Sequence, residues 1–241
     1  MVNFTQSKVS QSKSSSYDLG LRSYMLKVFN YMCLALCITG ATSYMTISTP
    51  LIHAFFNHGQ GGIGMSGLGW AATFAPLVFV MFFSSKIHTM HPGKAKFMLM
   101  AFGALMGLSL APIFLLYTGA SIVRMFFITA SVFASMSLYG YTTKRDLTAF
   151  GSFLMMGLIG IIIASVVNMF MKSPAIYFVT SVIGVLIFTG LTAYDVQKIV
   201  RTYSAVPSSR RENAAVLGAL SLYLDFINLF LMLLRLFGNR R

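Results

Sequence analysis

Acidic residues are scarce in this chain: Asp and Glu number 5 among 241 residues, against 18 Lys and Arg. Charged residues of both signs reach only 10%, hydrophobic residues make up 56%, and the mean hydropathy is +0.76. A soluble globular domain cannot be built from so little polar surface, which excludes that class. The net charge of +13 would suggest nucleic acid in a soluble protein. Here the basic residues lie mostly in the breaks between apolar runs, which is a topology signal and not a nucleic-acid footprint. Cysteine is also nearly absent. Cys33 and Cys37 lie four apart in the first apolar run, on one helix face. Two thiols supply neither a disulfide framework nor a zinc site, and they read as small buried hydrophobes. A cleavable signal peptide is missing too. Residues 1–25 are polar and Ser-rich without an apolar centre, and read as a flexible cytoplasmic tail ahead of a membrane domain over 26–241.

What is present is a series of seven apolar segments, each about 20 residues, enough to cross roughly 30 Å of hydrocarbon. They run Val28–Ile47, Gly67–Ser85, Phe97–Tyr117, Ile122–Tyr141, Leu147–Met171, Ala175–Gln197 and Ala214–Phe237. The fold class is therefore all-α integral membrane. A cytoplasmic N-terminus puts thirteen basic residues inside and leaves five outside: Arg124, Lys172, Arg235, Arg240 and Arg241. The positive-inside rule favours that orientation. Seven spans then place Arg240 and Arg241 outside, unless the last segment re-enters. Pro76 and Pro112 lie within spans and are expected to kink them. Gly103 and Gly107 form a GxxxG pattern, which permits close helix approach but is also common where helices merely face lipid. No strong internal repeat supports an inverted-repeat transporter.

Several motifs do not hold up. Gly62, Gly64 and Gly67 fit GxGxxG, but no strand precedes them and no acid follows at about 20 residues, so a flexible loop is expected. His88 and His91, and likewise His53 and His58, lack the further ligands that a metal needs. The 17 Met residues are dispersed through the spans and not clustered as copper ligands. No nucleophile–base constellation is found, so an enzyme is not expected.

The acids carry more information. Asp18 falls in the tail and Glu212 in the sixth loop, while Asp146 opens the fifth span as an expected N-cap. Asp225 instead lies about 16 Å into the last span, where a carboxylate costs on the order of 3 kcal/mol. Asp195 lies near the cytoplasmic end of the sixth. A short loop joins these two spans, so they run antiparallel. In the last span Ala214, Gly218, Ser221, Asp225 and Asn228 repeat at three and four and form one small-and-polar face. In the sixth, Ser181, Gly184, Thr192 and Asp195 share a broad side. Such faces point away from lipid. Intramembrane acids mark ion or proton pathways, and the alternative is a structural polar cluster that holds helices together.

The segment LSLYLDFINLFLMLLR (residues 220–235) and TAYDVQKI around Asp195 resemble the Bax inhibitor-1 family, bacterial type. KRDLTAFGSFL around Asp146, and Asn168 in the fifth span, resemble it as well, and the likeness covers about residues 20–241. The resemblance implies a seven-helix fold with the C-terminal helix central and six wrapped around it. It implies a pH-sensitive calcium leak in which Asp195 and Asp225 form a proton-sharing sensor. Ser221, Asn228 and Thr192 would be the supporting polar face. The family's arginine latch near the end of the second helix has no counterpart in Phe83-Ser84-Ser85-Lys86, which leaves Lys86 as the candidate latch. No resident cofactor is implied. Calcium enters as the permeant ion, with Asp195 and Asp225 as its candidate ligands. The expected partners are the lipid bilayer, calcium, protons and other membrane proteins, with no nucleic acid, in a bacterial inner membrane. Two other functions remain open: a non-conducting regulator that binds a membrane protease or another membrane protein, and a proton-coupled cation exchanger.

Overall fold

Inside hydrocarbon a backbone must satisfy its own N–H and C=O groups, so the apolar runs become helices. The computed structural model describes residues 2–59 and 62–241. In chain order the elements are α1 (Val2–Ser48), α2 (Leu51–Phe55), β1 (Phe56–Gly59), β2 (Gly62–Met65), α3 (Gly67–Lys86), α4 (Pro92–Leu110), α5 (Ile113–Leu116), α6 (Gly119–Thr142), α7 (Thr148–Met171), α8 (Pro174–Ala205) and α9 (Arg211–Phe237), with 3-10 turns at Ile87–Thr89 and Ser208–Arg210. Among the described residues seven helices are long and apolar enough to cross a membrane: α1 from Asp18 onward, α3, α4 with α5, α6, α7, α8 and α9. Large apolar side chains such as Val78, Phe97, Phe127, Phe153 and Phe170 are exposed around the bundle, as a lipid-facing surface requires.

The C-terminal helix is the most buried. Burial covers 72% of its apolar window, against 17% to 44% in the other six spans. It packs on α8, α1, α6 and α4, while α3 packs chiefly on α4 and α7 on α8. Four helices thus form the immediate wall of α9, and the other two form an outer layer.

The GxxxG pair is a packing device. A Cβ at Gly103 would stand 2.8 Å from the Ala35 carbonyl oxygen, and one at Gly107 would stand 2.6 Å from that of Thr39. The closeness lets α1 hydroxyls reach α4 carbonyls: Thr39 Oγ1 donates to Gly103 O at 2.8 Å, and Ser43 Oγ to Gly107 O at 2.7 Å. Thr39 also meets the Tyr223 hydroxyl at 2.7 Å, which ties this seam to α9.

Several expectations change. Cys33 and Cys37 are exposed, not buried. The inward stripe of α1 is Val28, Met32, Ala35, Thr39 and Ser43, and the two thiols lie off it. Within the stretch read as a tail, Tyr24 and Met25 are core residues of α1. Gly62 and Gly64 do not lie in a plain loop: β2 pairs antiparallel with β1, Asn57 opposite Gly64 and Gly59 opposite Gly62. Pro112 ends α4, and a single turn, α5, resumes after it, whereas α3 continues through Pro76. The last segment does not re-enter. It is one helix whose tail pairs with the start of α6: Thr118 N–H donates to Asn239 O at 3.1 Å, and Arg241 N–H to Leu116 O at 3.0 Å.

Gly107→Val should lower the thermal midpoint by the equivalent of about 2 kcal/mol or more, since the added atoms meet backbone that cannot yield. Gly160→Ala, where nothing lies within 4 Å of an added Cβ, should leave it within error. Equal midpoints for the two variants in a detergent melting assay would refute the role given to the α1–α4 seam.

Candidate functional site

The seam between α8 and α9 carries both intramembrane acids. The two helices are antiparallel and joined by Val206, Pro207 and a 3-10 turn. Asp195 lies about 15 Å back from the end of α8, and Ser221 about 15 Å into α9, so the two stand at similar depth. Asp225 is one turn deeper. It is 6% exposed, and its Oδ2 has no hydrogen-bond partner. Asp195 is partly exposed. The charges that act on Asp225 are Asp195 and Lys198, and Lys198 also acts on Asp195. No hydrogen bond joins the two carboxyls, so their coupling is through space.

A cavity of about 340 Å³ reaches from the α8–α9 connection to Asp195. Asp195, Gly218 and Ser221 line its inner part, and His88, Lys198 and Arg210 lie toward its rim. Gly218 lets α9 approach Ile199 at the cavity wall, where an added Cβ would meet Ile199 at 3.0 Å. Beyond Asp225 the path is filled. Phe188, Leu191, Leu229, Phe230, Met232 and Leu233 are buried together in one apolar cluster.

Of the sequence-predicted residues, Asp195 and Ser221 share the cavity and Asp225 lies just below it. Thr192 is fully buried, and its hydroxyl donates to Phe188 O at 2.8 Å, satisfied within its own helix. Asn228 does likewise, Nδ2 to Leu224 O at 2.8 Å. No hydrogen bond joins either side chain to the acids. Lys86 is exposed at the end of α3 and forms no ion pair among the described residues, whereas Lys198, one turn from Asp195, supplies the nearby cation. Sequence reasoning missed Lys198, whose i+3 spacing from Asp195 was visible, and His88, whose place at the rim depends on tertiary packing. It also missed Asn213. Nδ2 of that buried residue donates to Ile87 O and Met90 O, both at 2.8 Å, which fixes the 3-10 turn that bears His88.

Glu212, expected in a loop, is in the first turn of α9. It pairs with Lys27 at 3.0 Å and Lys96 at 2.8 Å, and accepts the Tyr31 hydroxyl. This cluster binds α1, α4 and α9 at the end where the cavity opens.

Seven crossing helices around a seam with two intramembrane acids define a multi-pass helical membrane protein. The family described as inhibitor of apoptosis-promoting Bax1 matches residues 21–241. An uncharacterized protein of Rickettsia prowazekii is 47% identical, over 100% of both chains. Inner membrane protein YbhL of Escherichia coli K12 is 44% identical, over 92% of this chain and 94% of that one. An uncharacterized membrane protein of Streptococcus pyogenes is 34% identical, over 92% and 95%. The chain belongs to the Bax inhibitor-1 family.

The KRD motif of the resemblance also has a structural account. Asp146 lies one residue before the N-cap position of α7, Leu147, and Oδ1 accepts from Thr148 N–H at 2.9 Å and from the Thr148 hydroxyl at 2.6 Å. Arg201 of α8 donates to the same oxygen at 2.9 Å. Gln197 completes the join, accepting from Leu147 N–H at 2.9 Å and donating to Arg145 O at 2.7 Å. The Thr148 and Arg201 bonds hold the Asp146 carboxyl down from 3.8 to about 2. Because the folded value is the lower one, the stabilisation is present above 3.8 and is lost as pH falls toward 2. Asp146→Asn should therefore flatten the decline of the thermal midpoint across that acid window. Parallel wild-type and variant curves would show that the cluster contributes nothing.

Proposed function

We propose that the chain is a pH-sensitive calcium leak channel of a bacterial inner membrane, with its N-terminus cytoplasmic, gated by proton exchange on Asp195 and Asp225. The observation that carries this reading is the placement of the acids: Asp195 in a cavity that reaches the loop end of the bundle, Asp225 buried one turn below, and apolar packing beyond. Two carboxylates in low dielectric repel one another, so ionising one disfavours ionising the other and they titrate as a unit. Loss of that proton leaves repelling charges on facing helices and favours an arrangement in which α8 and α9 separate. Separation would loosen Phe188 and Leu191 from Leu229 and Met232. The cavity supplies one carboxyl and the Ser221 hydroxyl, with the second carboxyl just below it, fewer oxygens than a retained calcium requires, which suits passage more than storage. Lys198 and Arg210 near the rim oppose cations, so calcium enters only when the acids carry charge, which couples flux to pH. The excess of Lys and Arg at the cavity end supports the orientation, and the printed name of the Escherichia coli relative supports the membrane.

Calcium flux into proteoliposomes should vary with pH for the wild type. Asp225→Asn should remove most of that variation, on the order of 90%, because one of two coupled sites is gone. A pH response that survives Asp225→Asn unchanged would defeat the gating mechanism. Absence of wild-type flux at every pH would defeat the channel reading and leave the non-conducting regulator.

A further inference from the structure

The end of the bundle opposite the acids holds a second cavity, of about 490 Å³, with the opposite charge. Lys172, Arg235 and Arg240 line it, together with Asn168, Ser173 and Tyr177, and no acid lies among its lining residues. The three cations come from separate places: the α7–α8 connection, the last turn of α9 and the C-terminal tail. They are three of the five basic residues that the charge-based orientation leaves on the minority side. None forms an ion pair among the described residues.

The site is also arranged in advance. Arg235 lies over the Tyr177 ring at 5.6 Å and Arg240 at 5.5 Å. Arg240 Nη2 donates to the Tyr177 hydroxyl at 3.1 Å, and its backbone bridges to Tyr117. Asn239 N–H, donating to Ser121 Oγ at 3.0 Å, anchors the same tail. Stacking holds guanidinium planes while leaving N–H edges for two-point contact with an oxyanion. Lys172 has left-handed backbone, φ 51°, where glycine is the unstrained residue, yet a cation stands there. The start of the 32-residue α8 adds the positive end of a helix dipole to the same cavity.

We propose that this cavity binds a phosphate-bearing anion, with Lys172, Arg235 and Arg240 as its ligands. A two-residue connection between spans lies at the membrane surface, where phospholipid phosphates are the concentrated source. Free phosphate is the other source with the same chemistry.

The test is native mass spectrometry of the full chain in neutral detergent with phosphatidylglycerol, phosphatidylcholine or inorganic phosphate. The wild type should retain phosphatidylglycerol over phosphatidylcholine. Lys172→Gln/Arg235→Gln/Arg240→Gln should lower that retention at least about tenfold, as expected for lost charge-assisted bonds. The control Lys94→Gln/Lys144→Gln/Arg145→Gln removes equal charge at the other end and should not lower it. Lipid retention that resists inorganic phosphate supports a headgroup site, and displacement by phosphate supports a free-phosphate site. Should the triple variant fail to fold, Lys172→Gln alone should still weaken retention measurably. Equal retention by wild type and folded variant, with no bound phosphate, would overturn the proposal.

Discussion

A carboxyl group cannot face hydrocarbon at the middle of a bilayer, and α9 carries one there. Asp225 therefore requires that α9 be the inner helix, and the arrangement of the other spans follows. With α1, α4, α6 and α8 around it, the acid is kept from lipid. The outer layer, α3 and α7, is left free to present large apolar side chains outward. The same requirement brings Asp195 to the seam, because α8 is joined to α9 by a short connection and must run back along it.

The hydrogen bonds that hold α9 lie above and below Asp225, not at it. Glu212 and Asn213 tie its start to α1, α4 and the turn after α3. The tail that follows it is tied to the start of α6. The Tyr223 hydroxyl reaches Thr39 on the α1 side. Toward α8 the contacts around the acids are apolar or through space, and the Thr192 hydroxyl and one Asn228 N–H bond within their own helices. With α9 pinned at both ends, the proposed gating would part α8 from α9 along the stretch between them.

The two ends differ in electrostatic logic. At the acid end, four cations stand near acids: Lys27 and Lys96 share Glu212, Arg201 holds Asp146, and Lys198 stands near Asp195. At the far end Arg235 and Arg240 are held by aromatic rings and Lys172 by the turn itself. Aromatic faces steady a guanidinium but do not neutralise it, so that end keeps uncompensated positive charge.

Much of this was legible in the sequence, because hydropathy reports directly on the cost of burying polar groups in lipid. The seven spans, the antiparallel α8–α9 pair and the inward placement of Asp195 and Asp225 rest on that cost and on helical spacing alone. Hydropathy stops at Gln197, whereas α8 continues to Ala205. The mixed stretch Lys198 to Ser204 continues the helix, with Ile199 and Tyr203 packed in the core, and part of that extension forms the wall of the cavity. Which side of α1 faces inward was not legible either, since Cys33 and Met32 are almost equally apolar and only the partner helix distinguishes them. The GxxxG pair was ambiguous for the same reason: close approach is a property of two helices, and one sequence segment describes only one. By itself the sequence determined where the chain crosses the membrane and which acids could not face lipid. Only the tertiary structure decided what lies across from Asp195, where Gly218 and Ser221 of α9 and His88 of the turn after α3 line the same cavity, because that depends on helix rotation and packing that no single segment encodes.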